Sequence, residues 1–298
     1  MSSSPDRMDR EALTVMLSGL RPRLHRYAAR MTGSVIDGED IVQEALVKAL
    51  RALDDGLSVD KPEQWLFRIA HNAAHDHLRR RKRENAHISE ADLEAVEDPT
   101  QASDSRIVAQ AGLRTFMQLP VAQRGATILV DVLGLSLHET REATGATLAA
   151  TKAALHRGRT RLRLLASQPL NQARPALSPH EELRLRLYVD RFNARDFDAV
   201  RALLAEDVRL DVVNQLNLRG KARVSTYFGN YDRLRNWRLS PGFVDSRPAI
   251  LLHDPMMPEA GPRGFILLEW REGAVTAIRD FRHVPYCLTD AETRALDN

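Results

Sequence analysis

The stretch GATLAATKAALHRGRTRLR, residues 145–163, carries five Lys or Arg residues and no Asp or Glu. Gly145 predicts a tight turn at its start, and Thr147 predicts the N-cap of the helix that follows. Apolar residues then recur at helical spacing along one stripe. A second stripe of the same helix carries Lys152, His156, Arg159 and Arg163. The sequence therefore predicts an amphipathic helix whose basic face suits a polyanion.

The residues before this helix predict a helix-turn-helix. A helix over 119–133 ends at Gly134, and Ser136 with Glu139 then forms a capping box for a second, short helix. A short glycine-containing turn joins that helix to the basic one. A solvated basic face is the alternative, but such faces usually mix both signs of charge, and no acid occurs over 143–180. DNA binding is the favoured interpretation.

A second basic site lies in WLFRIAHNAAHDHLRRRKR, residues 65–83, which ends in five consecutive cations. A basic cluster at a helix end can simply complement the helix dipole. Here the pattern also predicts a polar outer face over a buried face of Trp65, Ile69 and Ala73. The outer face would carry His71, Asn72, His75, Asp76, Arg79 and Arg80. Such a surface can touch both phosphates and bases.

Two breaks divide the chain into three modules. Seven acids and no Lys or Arg lie between Arg83 and Arg106, and three prolines interrupt any helix over 166–183. Apolar periodicity over 41–53 adds an amphipathic helix to the first module, so a small bundle is expected. The predicted organisation is a helical bundle at 8–83, an acidic linker at 84–105, a helix-turn-helix at 106–167, a Pro-rich linker at 168–178 and a third module at 179–298.

The whole-chain composition excludes several classes of protein. With 298 residues, 43% hydrophobic residues and a net charge of +3, the chain fits about two ordinary soluble domains. No apolar run approaches the roughly 18 residues of a membrane span, and the first residues lack the order of a signal peptide. The single cysteine, Cys287, excludes an intramolecular disulfide and a Cys-based zinc site. We expect a cytoplasmic protein with no membrane partner, no cofactor and no metal.

Three ordered segments resemble the extracytoplasmic-function group of sigma-70 family transcription initiation factors. GEDIVQEALVKAL (38–50) is similar to the family's region 2.2, PEQWLFRIAHNAAHDHLRRRKR (62–83) to regions 2.3 and 2.4, and LPVAQRGATILVDVLGLSLHETREATGATLAATKAALHRGRTRLR (119–163) to region 4. The resemblance covers most of 8–167. It implies a bacterial sigma factor that binds core RNA polymerase, melts and reads promoter DNA, and performs no covalent chemistry itself.

The resemblance also implies three sets of site residues. The β′ clamp helices of polymerase would be bound by Asp40, Gln43 and Glu44, and the β flap is a further expected partner. The promoter −10 element would be opened and read by the loop 53–62 and by Asn72, Asp76, Arg79 and Arg80. The −35 element would meet Thr147, Ala149, Thr151, Lys152, His156 and Arg157.

The sequence departs from the family pattern at two places: family members commonly have a Trp near Leu50, and an Ile-Ala pair where Thr140-Arg141 stand. Thr140 stands at a position that is apolar and buried in the family. A threonine there either weakens the packing of the helix-turn-helix or forces a hydrogen bond to the preceding turn.

The third module reads as helices followed by strands. Two helices and a strand are predicted over 183–212, and further strands over 247–254, 263–273 and 274–283, the last two joined as a hairpin at Glu272-Gly273. The module resembles the SnoaL-like branch of the nuclear-transport-factor-2-like superfamily, which implies an α+β cone with a curved antiparallel sheet. Its candidate pocket residues are Asp211, His253, Asp254, Asp280 and His283. Polar residues at strand ends are usually structural, so regulation in cis, by docking on the first module or the linker, is favoured over catalysis.

Two other functions remain open at this point. A ligand-sensing helix-turn-helix repressor explains 119–298 but leaves 40–83 unexplained. A polyketide-cyclase-like enzyme with a DNA-binding arm explains only the end of the chain. The predicted architecture is therefore multidomain: two all-α sigma domains followed by an α+β cone.

Overall fold

The computed structural model describes residues 10–84, 111–166, 175–233 and 236–296, without the side chains of residues 10–14 and 230. Apart from Glu84 and residues 175–178, both predicted linkers lie outside the described residues. The chain forms two compact units, residues 1–171 and 172–298, called here the helical unit and the C-terminal unit. The boundaries of the smaller modules stay predictions.

Three long helices begin the helical unit: α1 (Arg10–Thr32), α2 (Val35–Asp54) and α3 (Pro62–Glu84). Ser34 caps α2 by accepting a hydrogen bond from the backbone N–H of Asp37. Helices α1 and α2 cross closely at Gly38, where an added Cβ would lie 2.8 Å from the Cα of Ala29. A glycine at this point lets the two backbones approach, which fixes the start of α2 against the end of α1.

The buried face of α3 differs from the predicted one. Leu66, Phe67 and Ala70 are fully buried, whereas Trp65 and Ile69 are only half-buried. His71, predicted on the outer face, is also buried, with 8% of its surface exposed. The apolar positions on α3 are too dense to assign its inner stripe without knowing which neighbouring helix it meets.

Four helices follow in the second half of the helical unit: α4 (Leu113–Met117), α5 (Val121–Thr127), α6 (Leu137–Thr144) and α7 (Leu148–Ala166). Helix α5 continues as a π-helical segment, Ile128–Val132. The predicted capping box of Ser136 and Glu139 is present, and Gly145 ends α6 in the left-handed conformation at φ 72°. Thr147 accepts a hydrogen bond from the N–H of Ala150, as expected of an N-cap.

The helix-turn-helix packs through a glycine and shares its core with the first three helices. An added Cβ at Gly158 of α7 would lie 2.3 Å from Thr127 Oγ1 of α5, so the two helices are in direct contact there. One hydrophobic cluster contains Tyr27 and Phe67 from the first half, with Phe116 and Leu162 from the second. The two halves are thus one packed body in this arrangement.

Thr140 is fully buried in that body, at the position where the sequence departs from the family pattern. Its hydroxyl makes no hydrogen bond within the described residues, so the predicted bond to the preceding turn does not form. An unpaired buried hydroxyl costs about 1–3 kcal/mol. The threonine therefore costs stability where α6 packs, and the second alternative, a hydrogen bond to the preceding turn, is not realised.

The C-terminal unit begins with helices and continues as a sheet. Helix α8 (Pro179–Asn193) has the predicted capping box of Ser178 and Glu181, and α9 (Phe197–Ala202) follows. The strands are β1 (Leu204–Val212), β2 (Leu216–Arg219), β3 (Arg238–Val244), β4 (Arg247–His253), β5 (Gly264–Arg271), β6 (Ala274–Asp280) and β7 (Thr293–Ala295). Short helices are α10 (Lys221–Ser225), α11 (Phe228–Arg233) and α12 (Tyr286–Thr289).

The seven strands form one sheet in the order β2-β1-β6-β5-β4-β3-β7. All neighbours are antiparallel except β1 and β6, which are parallel. The predicted hairpin is present, with φ of 53° at Glu272 and 84° at Gly273. The helices cover one sheet face with aromatic rings, among them Tyr188, Phe192 and Phe228. The α+β class with a mostly antiparallel sheet is confirmed.

Three strands were not predicted from the sequence: β2, β3 and β7. Strand β3 contains Pro241 and Gly242, which normally argue against a strand. An added Cβ at Gly242 would lie 2.4 Å from the backbone oxygen of Arg294. The glycine is therefore required because β7 closes onto β3 at this residue, a contact between distant parts of the chain.

Candidate nucleic-acid interface

Helix α7 presents most of the predicted −35 set to solvent. Thr147, Ala149, Lys152, His156 and Arg157 are all exposed. They lie on the first turns of the helix, after the left-handed Gly145 turn. A helix with its N-terminal turns exposed in this way can enter a major groove.

Thr151 requires a correction. It is 1% exposed, and its hydroxyl donates to the backbone oxygen of Thr147 at 3.0 Å. Thr151 faces the preceding helices because it shares the apolar stripe of α7 with Leu155 and Gly158, which are also buried. In this arrangement it is a packing residue and does not belong to the exposed face.

Arg159 is also not part of the free basic face. Its Nε and Nη2 lie 2.9 Å and 2.6 Å from the two carboxylate oxygens of Asp131, a bidentate pair. The Asp131 side chain is 2% exposed and comes from the π-helical segment. This pair holds α7 against the π-helical segment that continues α5. The charge pattern along α7 gives no sign of it, because Asp131 lies 28 positions away from Arg159 in the sequence.

The predicted −10 set lies on the outer face of α3. Asn72, Asp76, Arg79 and Arg80 are all exposed, at positions that repeat every three or four residues. The cations have only loose partners: Arg79 lies 4.0 Å from Asp76, and Arg80 lies 3.8 Å from Glu44. Exposed pairs at such distances contribute little stability, so both cations can turn to a phosphate at small cost.

The predicted polymerase set occupies one face of α2. Asp40 is exposed, and Gln43 and Glu44 are half-buried. The three residues follow i, i+3, i+4 spacing, which places them together. Glu44 also lies 2.7 Å from Lys48 and faces Arg80 of α3. The polymerase and −10 sets therefore adjoin on the surface of the helical unit.

A buried polar cluster lies beneath the exposed face of α3. The Tyr27 hydroxyl and His71 Nδ1 are 2.5 Å apart, and the rings of His71 and His75 stand 4.4 Å apart. Burial, followed by the charge of His75, lowers the pKa of His71 to about 4. Burial is also the main cause that lowers the pKa of His75. His71 is thus a neutral packing residue at neutral pH and cannot touch DNA in this arrangement.

The start of α3 contacts the helix-turn-helix directly. Lys61 Nζ lies 2.8 Å from Glu142, and the amide of Gln64 donates to Glu139 at 3.3 Å. A cavity of about 690 Å³ lies between the loop 59–61 and the turn 145–148. The loop expected to open the −10 element and the turn that leads into α7 therefore face each other.

The candidate pocket residues of the C-terminal unit do not converge. Asp280 is fully buried and accepts hydrogen bonds from the hydroxyls of Tyr227 and Tyr231 at 2.5 Å and 3.0 Å. Burial, and next the charge of Asp280, raises the pKa of both tyrosines well above the usual range, so they remain donors. Asp211 is paired in register with Arg279, next to Asp280, and so points to the opposite sheet face.

The remaining pocket candidates also have separate surroundings. His253 Nε2 lies 2.9 Å from the hydroxyl of Ser240, Asp254 pairs with Arg263 at 3.2 Å, and His283 is exposed. These contacts suit structural roles. A catalytic role for the candidate set stays a prediction that this geometry does not favour.

Comparison with known proteins places these surfaces in a family. A model of Sigma-70 region 2 matches residues 16–84, which include both the α2 and the α3 surfaces. The sigma factor SigE of Mycolicibacterium smegmatis is 35% identical over 148 residues, spanning 47% of this chain and 56% of SigE. SigM of Mycobacterium tuberculosis is 32% identical over 154 residues, spanning 52% of this chain and 76% of SigM. The chain belongs to the extracytoplasmic-function (ECF) RNA polymerase sigma factors.

The alignments with SigE and SigM each cover only about half of this ECF sigma factor. The crystal structure of SigJ from Mycobacterium tuberculosis covers 90% of this chain and 95% of its own, at 22% identity and a TM-score of 0.34. That likeness is too low to assign a role to the C-terminal unit. The repressor alternative is not favoured because it leaves the matched residues 16–84 unexplained.

No helix among the described residues of this sigma factor is both long and apolar enough to cross a membrane.

Acidification should destabilise the helical unit through His71. Its pKa in the folded chain is about 4, below the ordinary 6.5. The unfolded chain therefore binds more protons, and stability present above pH 6.5 is lost as the pH falls towards 4. This residue alone should lower the free energy of unfolding by about 1 kcal/mol between about pH 7.5 and about pH 5.5. Urea unfolding followed by far-UV circular dichroism measures the loss.

Two variants separate His71 from the other histidines. His71→Gln keeps a polar partner for Tyr27 and does not titrate, so it should lose less stability on acidification than the natural chain. His156→Gln, at an exposed histidine of α7 that makes no ion pair among the described residues, should leave the pH dependence unchanged. An unaltered pH dependence in His71→Gln would show that His71 is not the group responsible.

Proposed function

We propose that this ECF sigma factor binds core RNA polymerase and directs initiation at promoters through their −10 and −35 elements. Three exposed surfaces on one unit support the proposal: the polar face of α2, the basic face of α3 and the basic face of α7. The polymerase supplies the chemistry, and the sigma factor acts in the bacterial cytoplasm, where transcription takes place.

The exposed turns of α7 are suited to a major groove. Ala149 and Ala150 are small and exposed, which lets the helix approach the base edges. Lys152 and Arg157 flank them with cations that can hold phosphates or the acceptor edge of guanine. Because Arg159 is held by Asp131, these two cations and His156 supply the −35 contacts.

The outer face of α3 is suited to opened DNA. Asn72 and Asp76 offer hydrogen-bonding groups, while Arg79 and Arg80 offer charge to the backbone. Extruding a base costs a few kcal/mol, which cationic backbone contacts must offset. The neighbouring α2 surface would bind the β′ clamp helices, so polymerase and DNA would meet on adjoining faces.

The packed arrangement of the helical unit cannot engage both promoter elements together. The elements lie about 25 base pairs apart, which is about 85 Å of duplex at 3.4 Å per base pair. Helix α3, at 23 residues, is only about 35 Å long, and its first turns contact α6. We therefore assign this arrangement to the DNA-free protein, and binding of polymerase separates α4–α7 from α1–α3.

Removing two cations from α7 should weaken initiation. Lys152→Ala combined with Arg157→Ala removes about two phosphate contacts. Initiation at −35-dependent promoters should fall, and its logarithmic salt dependence should become shallower by about 2. Run-off transcription with core polymerase, over a series of salt concentrations, measures both.

The matched control is Arg191→Ala with Arg201→Ala, which removes the same charge from α8 and α9 of the C-terminal unit. It should leave initiation and its salt dependence unchanged. Equal activity of the α7 variant and the natural chain would remove α7 from the −35 interface. Tight binding to duplex DNA without any transcript from core polymerase would favour the repressor instead.

Separation of the two halves should be directly measurable. Spin labels at Val15→Cys on α1 and Leu164→Cys on α7, in a Cys287→Ala background, report the distance between exposed sites. Addition of core polymerase and promoter DNA should lengthen that distance by tens of ångströms. A pair at Val15→Cys and Leu50→Cys, both within α1–α3, should not change. An unchanged distance for the first pair in an active complex would contradict the opening.

The C-terminal unit is proposed to regulate the sigma activity in cis. It has its own hydrophobic core and sheet, and the candidate catalytic residues have structural surroundings. Truncation after Leu170 should therefore alter the amount of transcript or the choice of promoter in the run-off assay. Unchanged output and promoter choice would exclude regulation by this unit.

A further inference from the structure

The sheet of the C-terminal unit carries two arginines directly opposite each other. Arg209 of β1 pairs in register with Arg219 of β2, and both side chains are exposed. Like charges at opposite positions of an antiparallel pair cost free energy. Among the described residues, neither arginine makes an ion pair that would relieve the repulsion. The fold thus keeps two cations close together without a protein counter-ion.

Two more arginines converge on the same place. Arg223 from α10 and Arg279 from β6 line one groove with the opposed pair. Arg279 is partly neutralised, because its Nε lies 3.5 Å from Asp211. Arg223 is exposed and has no carboxylate partner among the described residues. Three strands (β1, β2 and β6) and the short helix α10 therefore each place one arginine in the same groove.

The acids of the groove leave an excess of positive charge. Asp211 is occupied by Arg279, and the other acid is Glu269 on β5. Register places Glu269 opposite Ala277, and Ala277 opposite Arg209. Glu269 is therefore two strands from Arg209, about 10 Å away, whereas Arg219 is on the adjacent strand at about 5 Å. Arg209 is therefore closer to the like charge of Arg219 than to the opposite charge of Glu269, so the repulsion is not offset.

The groove has the size and lining of a small-molecule site. Its volume is about 430 Å³, and Ala277 together with the aliphatic stems of the arginines gives it apolar surface beside the charged groups. Sites for small ligands combine such apolar surface with a few fixed polar groups. Successive residues of β1 point to opposite faces of the sheet, and Arg209 and Asp211 point away from the aromatic face that the helices cover. The groove lies on this other face. It is therefore separate from the buried cluster around Asp280.

We propose that this groove, lined by Arg209, Arg219, Arg223 and Arg279, binds a small organic molecule that carries a carboxylate or phosphate group. The planar forks of the opposed arginines suit a bidentate oxyanion, and the apolar surface suits the body of the molecule. A nucleic-acid backbone fits less well, because a groove of about 430 Å³ has the size of a small-molecule site and not of an extended channel. The site does not depend on the proposed transcription function.

Calorimetry on the full-length protein tests the site with two oxyanions. Inorganic pyrophosphate represents the phosphate group, and benzoate, compared with neutral benzamide, represents an aromatic carboxylate. At least one of the two anions should bind and raise the melting temperature, and benzamide should not. In Arg209→Gln with Arg219→Gln, the affinity should fall at least about tenfold, since each charged hydrogen bond lost is worth that order.

The same variant has a second readout that a purely structural role would not give. Removing the opposed charges relieves their repulsion, so the ligand-free variant should melt at the same temperature as the natural chain or higher. The matched control, Arg201→Gln with Arg233→Gln, removes two arginines that do not line the groove and should bind the anions normally. Absence of binding by both anions, or equal binding by the groove variant, would overturn the site. Binding of an oligonucleotide at this groove but of neither small anion would also overturn it.

Discussion

The guanidinium of Arg124 joins the two halves of the helical unit, and the relative positions of the exposed faces of α3 and α7 in this arrangement depend on that junction. It donates hydrogen bonds to the backbone oxygens of Met31, Met117 and Leu119. Met31 lies in the last turn of α1 and Met117 at the end of α4, where carbonyl groups lack partners within their own helices. One cation thus satisfies the ends of two helices from different halves of the unit.

Arg124 tolerates burial because carbonyl oxygens replace water around it. Only 4% of it is exposed, and burial lowers its pKa to about 10, so it remains charged at neutral pH. The His71 ring packs against the next residue, Gly125, where an added Cβ would lie in ordinary contact at 3.5 Å. Helix α3 consequently packs its histidines against α5, and its opposite face, with Asn72 and Arg79, is the one left in solvent.

The cations of the helical unit fall into two groups with different physical roles. Arg124 is buried and Arg159 is half-buried, and the hydrogen bonds and the ion pair that they make set the positions of helices. Lys152, Arg157 and Arg80 are exposed, and the described ion pair of Arg80 is long. Exposed cations of the second group can exchange water and counter-ions for DNA phosphates, which is the origin of salt-dependent binding. Position within the fold, not residue type, separates the two groups.

The C-terminal unit divides its polar groups between the two sheet faces in a similar way. On the helix-covered face, Asp280 is buried and saturated by tyrosine hydroxyls and by Arg282, whose Nε lies 2.8 Å away. On the other face, Arg209 and Arg219 remain opposed without a counter-ion in the described residues. The first arrangement stabilises the fold, whereas the second costs stability and is explained by an external anion.

The sequence by itself determined the features that depend on neighbours along the chain. Capping boxes at Ser136 and Ser178, the left-handed turn at Gly145 and the hairpin at Glu272-Gly273 were all predicted, because each requires only a few adjacent residues. The order of the three similar segments likewise indicates the sigma family from sequence alone. These signals are local, so they can be recognised in the sequence without knowledge of the tertiary structure.

Only the tertiary structure decided which polar residues are free. Arg159 pairs with Asp131 of the π-helical segment, His71 lies within hydrogen-bonding distance of Tyr27, and Thr151 is buried. Strand β3, with Pro241 and Gly242, pairs on one side with the next strand, β4, and on the other side with β7, about 50 residues further along the chain. Each outcome depends on contacts between residues far apart in sequence, and periodicity within one element carries no information about its partner on another.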